Sequence, residues 1–343
     1  MRLETKISPS ERYSRQILFA GIGEEGQKRL AASRVTIVGC GAIGAALSSL
    51  LARAGVGHLR LIDRDYVEAS NLQRQVLFDE EDARESLPKA EAAARKIALF
   101  NSEIRVQAEV SDLTPQTIAL LDSSDVVLDA TDNFETRYLI NDYAVKKGLP
   151  WIYGAALGAY GATMNVLPGE TACLACVFPE QPSGTVQTCD TAGILNSAVN
   201  AVASIQATEA LKLLVGAREK LRRTLISFDL WSNEHSEIGT QRPRADCSVC
   251  GHRIFNHLAG KSRPHITLCG RNSVQIHEQN RPVDFVTMST RLSPHGRVKY
   301  NDMVLKFWRE AYEMTLFPDG RAIIKGTSDP AVARTLYARF VGM

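Results

Sequence analysis

An excess of charge of either sign is missing from this sequence. Lysine and arginine number 40 against 38 aspartate and glutamate over 343 residues, a formal net charge of +2. A chain so nearly neutral gives no electrostatic reason to expect a nucleic acid or a membrane surface as partner. A long unbroken hydrophobic run is also missing. The most apolar stretch, residues 192–215, is interrupted by Asn196, Asn200, Gln206, Glu209 and Lys212. Each of these is costly in hydrocarbon, so the stretch reads as the buried helix of a soluble domain and not as a membrane span. The N-terminal MRLETKISPSERYSRQ has no apolar core of the kind a secretory signal needs. Export is therefore not expected, and a cytoplasmic location is. Histidine is sparse, and none of the seven falls in the polar clusters described below.

The content is otherwise that of a globular protein, with 45% apolar and 23% charged residues. The length suits a core domain of about 250 residues with one further unit. Residues 11–33 read as a polar helical region. Arg34–Val38 is short, β-branched and apolar, the pattern of a buried parallel strand. A glycine-rich turn and a small-residue helix to about Ala54 follow. Further strands are expected at 58–63, 104–110, 125–131 and 149–157, with helices from Lys89 to about Phe100 and from Arg137 to Lys147. Strands that alternate with helices imply an α/β fold, a doubly wound and mostly parallel Rossmann-like sheet whose ligands sit at the carboxyl ends of the strands. Residues 180–190 have no periodicity and read as a surface loop. Residues 1–258 are expected to form this core. Residues 265–343 are expected to form a small α+β domain, with a hairpin turn at 317–321 and a final helix from about Ala331.

Gly39-Cys40-Gly41-Ala42-Ile43-Gly44 joins the first strand to its helix. Such glycines let the backbone approach a phosphate, and the helix start offers free N–H groups. Asp63 ends the next strand, where a carboxylate can hold ribose hydroxyls. Alone, this fingerprint favours a nicotinamide dehydrogenase. The residues that follow do not. Asp65, Asn71, Arg74 and Lys89 come next, and Asp132 ends the fourth strand. A dehydrogenase needs no cations gathered beside its phosphates, whereas an enzyme that cleaves a triphosphate must neutralise charge on the transferring and leaving groups. Arg74 and Lys89 are suitable cations. Asp132 is a candidate magnesium ligand, since magnesium takes one or two carboxylates plus phosphate oxygens.

Four of the seven cysteines form two C-x-x-C pairs, Cys173/Cys176 and Cys247/Cys250. Without an export signal these point to metal and not to disulfides. Four thiolates make a closed tetrahedral zinc site, which is structural because it leaves no position for substrate. Cys40, inside the glycine turn, reads as packing.

RYSRQIL, VGCGAIG, LIDRDYVEASNLQRQ, LPK, DATDNFETR, the paired C-x-x-C and TAGI…QATEALKLL occur in this order. Together they resemble the ThiF/MoeB/HesA family, bacterial relatives of ubiquitin-activating enzymes, over roughly residues 11–257. LCGRNSVQI and FPDGRAIIKGT resemble the C-terminal extension of some ThiF-like proteins. The resemblance implies an adenylyltransferase that uses ATP and magnesium to activate the C-terminal glycine carboxylate of a small ubiquitin-like sulfur carrier. Gly39, Gly41 and Gly44 would meet the phosphates, Asp63 the ribose with Asp65 nearby, and Asn71, Arg74 and Lys89 the triphosphate. Asp132 would bind magnesium. Arg15 would act as an arginine finger supplied by the other subunit of a homodimer. Cys189 would stand where relatives bond covalently to the activated carrier, although an incidental loop cysteine fits as well. A thiamine-pathway carrier is favoured over a molybdopterin carrier. The alternative is adenylation of a short peptide in peptide–nucleotide biosynthesis, with residues 265–343 as a peptide clamp.

Overall fold

A computed structural model describes residues 9–179, 192–260, 267–268, 273–276 and 282–342. Cys189 lies outside the described residues.

The β-branched run Arg34–Val38 forms β1, buried along four of its five residues. It lies between β2 (His58–Ile62) and β4 (Val126–Asp129), parallel to both. β3 (Arg105–Glu109) flanks β2, and β5 (Trp151–Leu157) flanks β4. The five strands expected from the sequence are thus all present and parallel, in the order β3-β2-β1-β4-β5. The chain leaves β1 in one direction and returns to β4 in the other. The crevice at the carboxyl ends of β1 and β4 is therefore the switch point of the sheet, where open α/β sheets bind ligands.

The sheet then continues antiparallel through β6 (Tyr160–Val166), β7 (Thr224–Asp229) and β8 (Glu234–Gly239). Every residue of β8 is exposed. A two-sided polar edge strand leaves no apolar alternation, which is why residues 232–246 read only as a polar stretch.

The helix Asn196–Val215 starts four residues later than its apolar composition implies. By length and composition it would pass as a membrane span. In the fold it packs on β5, β6 and the helix Ala42–Ala54. Its fully buried Gln206 donates to the carbonyls of Asp129 and Ile152 at 2.9 and 3.1 Å, tying the helix to β4 and β5. The N-terminal helical region is interrupted, forming short turns before the helix Gly23–Ala32.

A second, six-stranded antiparallel sheet runs in the order β11-β12-β13-β14-β10-β9. Its strands are β9 (Thr267–Leu268), β10 (Ser273–Ile276), β11 (Arg297–Tyr300), β12 (Leu305–Arg309), β13 (Tyr312–Leu316) and β14 (Ala322–Lys325). The helices Phe285–Leu292 and Pro330–Phe340 pack on one face, over Leu305, Phe307, Met314, Leu316 and Ile324. Asp329 caps the last helix by accepting from the Ala331 N–H, with Pro330 at the first helical position.

Candidate active site

The glycine turn requires its glycines. Gly39 sits at φ +93°, and a Cβ there would lie 2.6 Å from the Ala130 carbonyl oxygen at the end of β4. A Cβ on Gly44 would lie 1.8 Å from the Gly39 carbonyl oxygen, so only glycine lets the helix start close upon the turn. Gly41 faces open space, with nothing within 4 Å of a Cβ built on it. The helix Ala42–Ala54 begins there without a side-chain cap. A concave backbone turn and an uncapped helix start at a sheet switch point form an anion-binding geometry.

Asp63, at the end of β2, accepts from the Cys40 N–H at 2.6 Å and from the Asp65 N–H at 2.7 Å. Its carboxylate therefore braces the glycine turn directly. Burial pushes its carboxyl above the usual carboxylate range, Lys89 pulls it down, and Asp65 pushes it up. Lys89 is only 2% exposed, and its Nζ lies 3.2 Å from Asp65 Oδ2. Its own N–H donates to the Asp65 carbonyl at 2.8 Å. Pro88 at the N-cap and a bridge between Tyr66 and Pro88 hold Lys89 at the start of its helix. Asn71 is buried in a short turn, accepting from the Glu68 N–H at 3.2 Å. Arg74 is half-buried and donates to the Ser70 carbonyl at 3.0 Å, next to that turn. Cys40 lies fully buried in the apolar core, as a packing residue.

Asp132 is exposed just beyond β4. Two charged pairs that the sequence reading did not single out surround it. Asp129, fully buried, pairs with Arg137 at 3.2 Å and accepts from the Thr131 N–H and Oγ1. Arg137 in turn donates to the carbonyls of Thr131 and Gly154. Burial raises the Asp129 carboxyl, against the pull of Arg137. Arg64 pairs with Asp112 at 2.7 Å. Asp132 acts electrostatically on both arginines. The signal for Asp129 was present in the sequence: a carboxylate closing the apolar run Val126–Leu128, with an arginine one helical turn into the next element.

Arg15 is not beside the glycine turn of its own chain. Tyr13 is buried with its hydroxyl accepting from Asn101, and its ring lies against Gly55. Gln16 donates to the Ala54 carbonyl at 2.8 Å. Arg15 is thus held at the far end of the helix Ala42–Ala54, exposed. At 1.5 Å per residue that end is about 20 Å from the glycine turn.

The four paired cysteines converge, with all four sulfur atoms within 4.8 Å of one another. Cys173–Cys176, Cys173–Cys247 and Cys176–Cys250 are 3.8, 3.6 and 3.3 Å apart. Tetrahedral zinc with Zn–S of about 2.3 Å needs sulfurs about 3.8 Å apart, whereas a disulfide needs about 2.05 Å. The donor set and its spacing fit zinc. The Arg244 N–H donates to Cys176 Sγ at 3.4 Å, as befits a thiolate. A groove of about 380 Å3 lies at the opposite rim, lined by Arg29, Ser33, Asp125 and Pro150 among others, and shares no residue with either cluster.

The ThiF family model matches residues 13–249. The sulfur carrier protein ThiS adenylyltransferase of Bacillus subtilis is 45% identical over 96% of this chain and 99% of its own. The SAMP-activating enzyme E1 of Haloferax volcanii is 40% identical over 73% of this chain and 92% of its own. The crystal structure of E. coli MccB with ATP aligns with a TM-score of 0.62 at 25% identity, over 71% of this chain and 75% of that one.

Proposed function

The chain belongs to the ThiF family, and from that membership we propose that it activates the C-terminal carboxylate of a small ubiquitin-like sulfur-carrier protein by ATP-dependent adenylation. One relative whose name states sulfur-carrier adenylylation, that of Bacillus subtilis, aligns over 99% of its length and 96% of this chain, which takes in the region of the second sheet. The observation that carries the reading is Lys89. A nearly inaccessible lysine, held by Asp65 and opening a helix beside a glycine turn, is a fixed cation for phosphate. A nicotinamide enzyme has no use for it.

The carrier carboxylate attacks the α-phosphorus of ATP, the bond to the β-phosphate oxygen breaks, and pyrophosphate leaves. A C-terminal carboxyl has a pKa of about 3.5, so the nucleophile is ionised at neutral pH and needs no general base. The work left to the protein is positioning and charge neutralisation. In this reading the N–H groups from Gly41 to Gly44 hold phosphate oxygens, those of Gly39 and Cys40 being taken by the Ile62 carbonyl and Asp63. Asp63 keeps the turn in shape and offers its carboxylate toward the ribose, with Asp65 orienting Lys89. Asn71, Arg74 and Lys89 hold the triphosphate. Asp132 would hold magnesium, because it is an exposed carboxylate beside the phosphate site; the ion would neutralise phosphate charge. Arg15 would come from a second copy, since its own site is too distant. The exposed Leu18 and Phe19, at 73% and 66%, offer apolar surface beside it for a homodimer contact. Zinc would be held by Cys173, Cys176, Cys247 and Cys250 as a structural tie. A core of residues 1–258, a separate unit of 265–343 and a cytoplasmic location belong to the same proposal.

Exchange of labelled pyrophosphate into ATP, with and without a purified ThiS-like carrier ending in Gly-Gly, tests this. Carrier-dependent exchange is expected, and Asp132→Ala is expected to abolish it while the fold persists. Exchange stimulated only by a short peptide would move the assignment to the peptide alternative.

A further inference from the structure

The second sheet has two unlike faces. One is covered by its own helices. On the other, the strand register places Lys306, Trp308, Glu313, Thr315, Ile323 and Lys325 side by side. Among the described residues, no helix of the small domain covers these side chains. What lies on them is the loop between β2 and Lys89.

Tyr66 of that loop is only 2% exposed and clusters with Val304, Phe317 and Ile323. Its ring has Lys306 Nζ at 3.9 Å and Lys325 Nζ at 5.2 Å, and its hydroxyl donates to Glu313 at 3.4 Å. Glu68 pairs with Lys325. Asn301 donates to the Glu85 carbonyl at 2.7 Å, and Arg321 donates to the Val110 carbonyl at 2.7 Å, beyond β3. The gripped residues alternate with those of the proposed ATP site. Asp65, which holds Lys89, precedes Tyr66, and the Tyr66 backbone bridges Pro88 beside Lys89. The Glu68 backbone N–H is what the Asn71 side chain accepts from.

We propose that the C-terminal sheet is a built-in clamp on the triphosphate-binding loop, with Lys325 and Glu68 as positioning residues and Tyr66 as its anchor. This rests on the adenylyltransferase reading for its catalytic consequence, but not for its physical one. A loop of more than twenty residues whose regular structure is one 3-10 turn, Ala69–Asn71, and one short helix, Glu80–Glu85, has many conformations, and fixing it before ATP arrives removes that ordering cost from binding. The clamp also explains why a face carrying two lysines and a tryptophan remains partly apolar at Val304, Phe317 and Ile323.

Amide hydrogen exchange over residues 65–89 of the full chain, without nucleotide, tests the physical claim. Lys325→Glu is expected to speed exchange there while leaving the zinc-bound segment and β10–β14 unchanged. Lys325→Arg is expected to retain wild-type exchange, and Glu68→Lys combined with Lys325→Glu to restore it in large part. In pyrophosphate exchange, Lys325→Glu is expected to raise KM for ATP about three- to tenfold, as befits reversal of one half-buried charge pair, with a smaller change in kcat. Unaltered amide exchange at 65–89 in Lys325→Glu would overturn the clamp. A wild-type protein inactive with every carrier but showing these exchange differences would instead sink the adenylation reading alone.

Discussion

Lys89 shows how a residue can be easy to find and hard to understand from sequence. Its position at the start of a helix, after Leu-Pro, makes it a candidate phosphate ligand. Its burial at 2% and its link to Asp65 were not visible, because pairing across 24 residues depends on the loop returning over β2. The pair has an energetic consequence. Lys89→Met removes the cation that acts on both Asp63 and Asp65, leaving Asp65 with Arg64 at 3.9 Å, and a buried pair broken on one side typically costs about 3 kcal/mol. The pH dependence follows from Asp63. Its folded carboxyl is already raised by burial, and Lys89 is the strongest influence holding it down. Without Lys89 it rises further. A raised acid binds its proton more tightly in the folded state, so stability is greatest at low pH and is lost as pH climbs above the ordinary aspartate range. The variant's deficit against wild type is therefore expected to be smaller at pH 5 than at pH 8 in denaturant titrations. An equal deficit at both would mean that Asp63 does not feel Lys89. The pairing of Asp129 with Arg137 was missed for the same reason as the Lys89 pair: Asp129 closes an apolar run, but only the fold shows both charges enclosed.

Among the elements, legibility tracked the apolar pattern. β1, β2, β4 and β5 are largely β-branched or apolar runs, and they and the more polar β3 were read at nearly their observed limits. β8 was not, because an exposed edge presents no pattern to read. The convergence of the two cysteine pairs was legible by spacing alone, whereas what they would fasten was not. One pair lies at the short helix Leu174–Val177 after β6, and the other follows the exposed β8. The second pair therefore anchors a strand whose own burial contributes almost nothing. Metal analysis is expected to find one zinc per chain. Cys247→Ser is expected to lose it and to lower Tm by about 10 °C, the scale on which a structural metal contributes folding energy to a chain of this size. Retention of full zinc and Tm in Cys247→Ser would remove the cysteine cluster from the structural account.

At the scale of the whole molecule, Arg15 and the proposed ATP site stand at opposite ends of one helix. The sequence supplied the arginine, and the resemblance supplied a second subunit. The structure adds the distance: the N-terminal turns are pinned by Tyr13 and Gln16 to one end of the helix Ala42–Ala54, and the glycine turn begins its other end. A rigid helix of 13 residues separates them by about 20 Å, which no side chain spans. If Arg15 serves catalysis, it serves a neighbouring copy. Mixing resolves this where single variants cannot. Arg15→Ala and Asp132→Ala are each expected to be inactive as pure proteins. After the two are dissociated, combined in equal amounts and reassociated, half of the dimers are mixed. Each mixed dimer pairs an intact Asp132 on one chain with an intact Arg15 from the other at one of its two sites. Exchange activity is then expected to recover to about a quarter of wild type, as two-fold symmetry requires. No recovery, with mixed dimers demonstrated by differential tagging, would place the arginine's role within its own chain and would require the N-terminal turns to leave the position seen here.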